Sequence, residues 1–111
     1  MRKLIVSLLA VAALTAIAAP AFAAGRSVKI GDDYFVRDDA TPTVRVDKGT
    51  RVTWRWSGNG LHNVAVTSGP VKFRSSLKTS GTYRRTMRKA GLYKIHCTVH
   101  SGMKMTLRVR R

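Results

Sequence analysis

Residues 91–110 read GLYKIHCTVHSGMKMTLRVR, two alternating runs around a short polar turn. In the first run Tyr93, Ile95 and Cys97 fall on one side, and Lys94 and His96 on the other. In the second, Met103, Met105, Leu107 and Val109 share a side, opposite Lys104, Thr106, Arg108 and Arg110. Alternation with a period of two is the mark of a strand that buries one face. Cys97 and Met103 are therefore expected to point inward, and His96 outward with Lys94. His100 stands in the turn between them.

The same pattern continues upstream. In TRVTWRWS, Val52, Trp54 and Trp56 lie opposite Arg51, Thr53 and Arg55. In LHNVAV, His62 lies with Val64 and Val66. Turn signals recur at GDD (31), DKG (47), SGNG (57), SGP (68), TSG (79), KAG (89) and HSGM (100). Short β-branched and aromatic runs, with turns at about ten-residue spacing, predict an all-β sandwich or barrel. No window carries a helical period.

The first residues are of another kind. MRK is followed by the sixteen-residue apolar run LIVSLLAVAALTAIAA, and then by small residues at Ala21 and Ala23. That order predicts a secretory signal peptide, residues 1–23, cleaved after Ala23. The run is short for a comfortable bilayer span. Removing 23 of 111 residues leaves 88, expected to be one domain, residues 24–111. The 21 cations lose Arg2 and Lys3, so 19 remain against five acids, a charge of +14. All five acids are aspartates, and none lies beyond Asp47. Such a field favours acidic partners or anionic surfaces. The expected location is periplasmic or extracellular, where a lone cysteine is exposed to oxidation unless something protects it.

Cys97, His100 and Met103 stand as C-x2-H-x2-M, with His62 35 residues before Cys97. Two histidines, one cysteine and a weak methionine make the ligand set of a blue copper site. Thiolate donates strongly to Cu(II), imidazole suits both oxidation states, and a long thioether contact tunes the potential. Zinc sites favour more Cys or His, iron–sulfur clusters need more thiolates, and the C-x-x-C-H of covalent haem is missing. Three histidines are too few for a multicopper oxidase cluster. No acid–base pair or activated nucleophile stands out, so the protein is not expected to be an enzyme. Singly, each ligand has a plainer reading: a hydrogen-bonded core histidine, a small buried thiol, a packing methionine. Their order on these strands carries the copper reading.

At this point the sequence resembles the cupredoxins, above all plastocyanin-like and amicyanin-like proteins, from about Val28 to Arg110. The segments that carry the resemblance are VRVDKGTRVTWRW, LHNV and GLYKIHCTVHSGMKM. It implies a Greek-key β-sandwich with one copper held by His62, Cys97, His100 and Met103. It also implies that Asn63 ties the His62 strand to the cysteine loop, and that the edge of His100 is the electron port. The His100-to-Met103 spacing is of the amicyanin type. Met105 has the longer plastocyanin-type spacing and is the rival axial ligand, though its parity reads as core. Val99 and Ser101 stand where relatives often place prolines, Ile95 replaces a common aromatic, and Met87 replaces a common phenylalanine.

The expected function is single-electron transfer between redox partners by an exported monomer. One rival is a copper-holding or copper-delivery protein using the same site, although no Met-rich tail follows. A second is a basic module that binds polyanions. Binders of single-stranded nucleic acid expose aromatics in a basic groove, whereas Trp54 and Trp56 are expected in the core.

Overall fold

Eight strands, β1 (Gly25–Gly31), β2 (Tyr34–Phe35), β3 (Thr43–Asp47), β4 (Arg51–Trp56), β5 (Ala65–Ser68), β6 (Gly81–Thr86), β7 (Gly91–His96) and β8 (Lys104–Arg110), build two four-stranded sheets. The computed structural model describes residues 25–111. The expected signal peptide lies outside the described residues. One sheet runs β2-β1-β4-β6 and the other β3-β8-β7-β5. β1 pairs parallel with β4 and β3 with β8, and the remaining pairs are antiparallel. Every connection from β2 to β7 crosses from one sheet to the other. The all-β, Greek-key sandwich read from the sequence is the observed fold, and no helix occurs among the described residues.

Alternation predicted the inner faces well. Val52, Trp54, Trp56, Tyr93, Ile95, Cys97, Met103, Met105, Leu107 and Val109 are all buried. Trp54 is the centre of the core, with ring centroids 6.0 Å from Phe73 and 5.8 Å from Tyr83. Tilted aromatic pairs at this range add about 0.5–1.5 kcal/mol each beyond area burial. The Trp54 indole N–H donates to Met105 Sδ at 3.5 Å, which joins the two sheets. A buried indole needs such a partner, because an unpaired donor there is costly.

Thr53, expected outward with Arg51 and Arg55, is buried in β4, which is paired on both sides by β1 and β6, and one whole segment departs from alternation. His62, Asn63, Val64 and Ala65 are all buried. Residues 74–78 bridge this segment at His62–Lys78 and Ala65–Arg74, while β7 flanks β5. With neighbours on both sides, neither face meets water, so parity loses its meaning. The register also shifts between Val66 and Ser68. His96 is half-buried rather than open to water, in a shallow groove with Thr41, Lys94 and Lys104.

The pairing registers place the ends of β1, β4 and β7 and the start of β8 at one end of the sandwich. Gly31, Trp56, His96 and Lys104 occupy those positions. The loops leaving these strands carry every candidate ligand.

Candidate metal centre

Cys97 continues the inward side of β7 and is 2% exposed. Its N–H donates to the Met103 carbonyl at 3.0 Å, and the Met103 N–H donates to the His100 carbonyl at 3.2 Å. These bonds close residues 97–103 into a tight loop that returns directly into β8. The turn needs Gly102 at φ 87°, in the left-handed region that side chains disfavour. His100 is carried at the tip and stays half-buried.

His62 is fully buried and its backbone is held on both sides. Its N–H donates to Lys78 O and its carbonyl accepts from Lys78 N, each at 3.0 Å. The carbonyl also accepts from Trp56 Nε1 at 3.1 Å. Asn63 makes the tie expected of it: Oδ1 accepts the Thr98 N–H at 2.8 Å and the Thr98 hydroxyl at 3.3 Å. The strand carrying His62 is thereby fastened to the loop carrying Cys97.

These constraints bring His62, Cys97 and His100 together, with their ligand atoms within 4.8 Å of one another. His62 Nδ1 lies 3.2 Å from His100 Nδ1, and Cys97 Sγ lies 3.6 Å from His100 Nδ1. Nitrogen and sulfur donors bind such ions at about 2.0–2.3 Å, so donors sharing one ion sit about 3–4 Å apart. The 3.2 and 3.6 Å spacings fit. The outer nitrogens give a second reason. His62 Nε2 is 3.3 Å from Asp32 Oδ1, and His100 Nε2 is 3.1 Å from Asp33 Oδ1. A neutral imidazole that donates from Nε2 bares its Nδ1 lone pair. With both rings in that tautomer, two bared Nδ1 atoms 3.2 Å apart would repel each other, and a cation shared with the thiol would remove that repulsion. Two imidazoles and a thiolate are the equatorial donors of blue copper, with a weak axial thioether.

The structure separates the two methionines. Met105 Sδ is engaged by Trp54 in the core. Met103, 2% exposed, sits at the foot of the ligand loop, one hydrogen bond from Cys97 and one from His100. His96 is outside the donor group.

Asp32 and Asp33 were not singled out by the sequence reading, although GDD was recognised as a turn. Asp32 accepts the N–H groups of Gly60 at 2.7 Å and Asn59 at 2.9 Å. Those two bonds, with a smaller part from His62, hold its carboxyl below the ordinary value of 3.8. The available signal was the placement of two adjacent acids in a chain with only five acids against 21 cations.

Residues 27–110 match the copper binding proteins of the plastocyanin/azurin family. Among solved structures, an oxidised amicyanin point mutant is 26% identical, with 78% of this chain and 82% of that chain covered and a TM-score of 0.63. A Cu(I) form of another amicyanin mutant is 25% identical over 78% and 82%, at TM-score 0.64. A Cu-containing nitrite reductase from Thermus scotoductus SA-01 shares the fold at 22% identity and TM-score 0.66. There the match covers 78% of this chain, which spans only 22% of the reductase. Among curated proteins none matches. Fold and site together define a cupredoxin-like blue copper protein. The chain belongs to the plastocyanin/azurin family of copper binding proteins, and its cofactor is one copper ion.

Proposed function

We propose that this protein is an electron carrier, with copper held by His62 Nδ1, His100 Nδ1 and the Cys97 thiolate, and with Met103 as the weak axial ligand. The observation that carries the reading is the convergence of the two Nδ1 atoms and Sγ at 3.2 and 3.6 Å. Copper bound there would take up and release one electron between Cu(II) and Cu(I). The chain's part is to keep the donors still while that happens. His62 is locked by Lys78 and Trp56, Cys97 by Met103, and the two ligand segments by Asn63. Donors that do not move need little rearrangement when the charge changes, which favours fast transfer. Burial of His62, Cys97 and Met103 keeps water and competing ligands away. It also speaks against copper delivery, which needs an open site. Only His100 reaches the surface, at 32% side-chain exposure, so its edge is the route for the electron.

The same reading makes residues 24–111 the working domain, exported to the periplasm or beyond and acting as a monomer without catalytic chemistry of its own. Its redox partner is acidic. The attraction is that of the whole chain's charge, because the groove lined by Lys48, Arg88, Lys89 and Arg111 lies at the end of the sandwich away from the ligand loops and does not itself mark the docking face. Cations of this density steer an acidic partner from a distance, and the steering weakens as salt shortens the screening length to about 8 Å.

The test is the visible spectrum of the purified protein after addition of Cu(II), followed by voltammetry. An intense thiolate-to-copper band lost in Cys97→Ser, with reversible one-electron cycling, supports the reading. A colourless protein that binds Cu(I) and passes it to an acceptor replaces it with copper delivery.

A further inference from the structure

Both histidines of the centre place their outer nitrogen against a carboxylate of one two-residue turn. Gly31 pairs with Tyr34 across the β1–β2 hairpin, leaving Asp32 and Asp33 as its loop. Asp33 takes φ 70°, a left-handed conformation that aspartate tolerates better than most residues. From this turn the two side chains diverge. Asp32 Oδ1 reaches His62 Nε2 at 3.3 Å, and Asp33 Oδ1 reaches His100 Nε2 at 3.1 Å.

The hairpin is fitted to this task on the Asp32 side. Asp32 is fastened by the Asn59 and Gly60 amides, in the loop that leads to His62. A Cβ added at Gly58 would come within 2.3 Å of Asp32 Oδ1, and one at Gly60 within 3.0 Å. Two side-chain-free positions therefore let the loop close on the carboxylate. Asp33 pairs with His100. Two further acids serve elsewhere: Asp39 pairs with Arg37, and Asp47 with Arg110.

We propose that Asp32 and Asp33 are positioning residues of the copper centre: they fix the Nε2–H tautomer and ring orientation of His62 and His100, and they bias the bound ion toward Cu(II). The inference rests on the copper reading given above. Its physics is simple. A carboxylate that accepts Nε2–H makes the opposite nitrogen a stronger donor and fixes where it points. Two nearby negative charges also favour the more highly charged metal state. Outer partners of this kind are worth about 10–100-fold in metal affinity. Applied to Cu(II) alone, a tenfold loss corresponds to about 59 mV for a one-electron couple.

Asp33→Asn is the primary variant, because Asp33 is exposed and, among the described residues, no backbone amide donates to its carboxylate, unlike that of Asp32. Three quantities are measured on purified wild type, Asp33→Asn and Asp33→Glu: the Cu(II) and Cu(I) affinities, the midpoint potential, and the tautomer of His100 in metal-free protein by NMR of the ring nitrogens. For Asp33→Asn the expected result is Cu(II) binding weaker by about tenfold with Cu(I) binding unchanged, and a midpoint potential about 59 mV higher. The wild-type His100 is expected as the Nε2–H form, with that preference reduced in Asp33→Asn. Asp33→Glu restores part of each. Asp32→Asn shifts the potential in the same direction, and retention of the wild-type melting temperature shows whether its loop has survived. A blue wild-type centre whose potential and Cu(II)/Cu(I) ratio are unmoved by Asp33→Asn overturns this proposal and leaves electron transfer standing. A wild type that binds no copper overturns both.

Discussion

Replacing Asn63 with alanine tests whether the centre is assembled before copper arrives. Asn63 is 3% exposed, and its Oδ1 holds the Thr98 amide at 2.8 Å, across 35 residues of sequence. The substitution removes that bond, worth about 1 kcal/mol net, and leaves a small buried gap worth about as much again. A loss of about 2 kcal/mol lowers the melting temperature of a domain this size by about 8–16 °C. Copper binding weakens as well, because the Cys97 loop must then be ordered against His62 at the moment of binding. About tenfold is expected. Thr98→Ala is the internal control. It keeps the amide bond, loses only the 3.3 Å hydroxyl contact at an exposed position, and is expected to change stability by less than about 0.5 kcal/mol. Thermal unfolding of the metal-free proteins and Cu(II) titration read both effects. An Asn63→Ala variant as stable as wild type, or a Thr98→Ala variant equally damaged, would refute the tie as the element that joins the two ligand segments.

Other substitutions separate the site from its scaffold. Met103→Leu is expected to shift the midpoint potential and the visible spectrum, while Met105→Leu leaves both in place and costs about 1–3 kcal/mol, because it strands the buried Trp54 N–H. Voltammetry and chemical unfolding of the two variants decide which sulfur serves copper. Tyr93 is buried, which raises its phenol above the ordinary 10.0, with Arg85 opposing more weakly. A raised folded value means stability is fully present below about pH 10 and falls as pH rises through the folded value. Tyr93→Phe is expected to flatten that alkaline loss, and to cost about 1 kcal/mol at neutral pH through the lost bond to Lys89 O, as read by unfolding curves across pH. Association with an acidic redox partner is expected to slow as ionic strength rises, and to speed up in Asp33→Asn, which removes a like charge beside the His100 edge. Stopped-flow rates at two salt concentrations check both.

Much of this molecule could be read along the chain, because its information is local. A period of two sorts side chains onto faces without reference to any distant residue, so the inward course of Trp54, Tyr93, Cys97, Met103 and Met105 was visible in sequence and is observed. Three of the four candidate ligands fall within seven residues, and the tight turn that holds them is written in its own glycine. The alternation argument failed at Thr53 and His96, expected outward but buried and half-buried, and along His62–Ala65, where a segment nine or more residues away covers the second face.

What tertiary structure alone decided involves partners far apart in sequence. That Met105 belongs to Trp54 depends on two sheets facing each other across 51 residues. That Asp32 and Asp33 lie against His62 and His100 depends on the parallel pairing of β1 with β4, which brings the hairpin loop beside SGNGLH. In sequence those aspartates were two residues of a turn and two units of charge. The fold made them neighbours of both imidazoles, because a carboxylate acts over a few ångströms and the chain's order says nothing about which loops share an end of the sandwich.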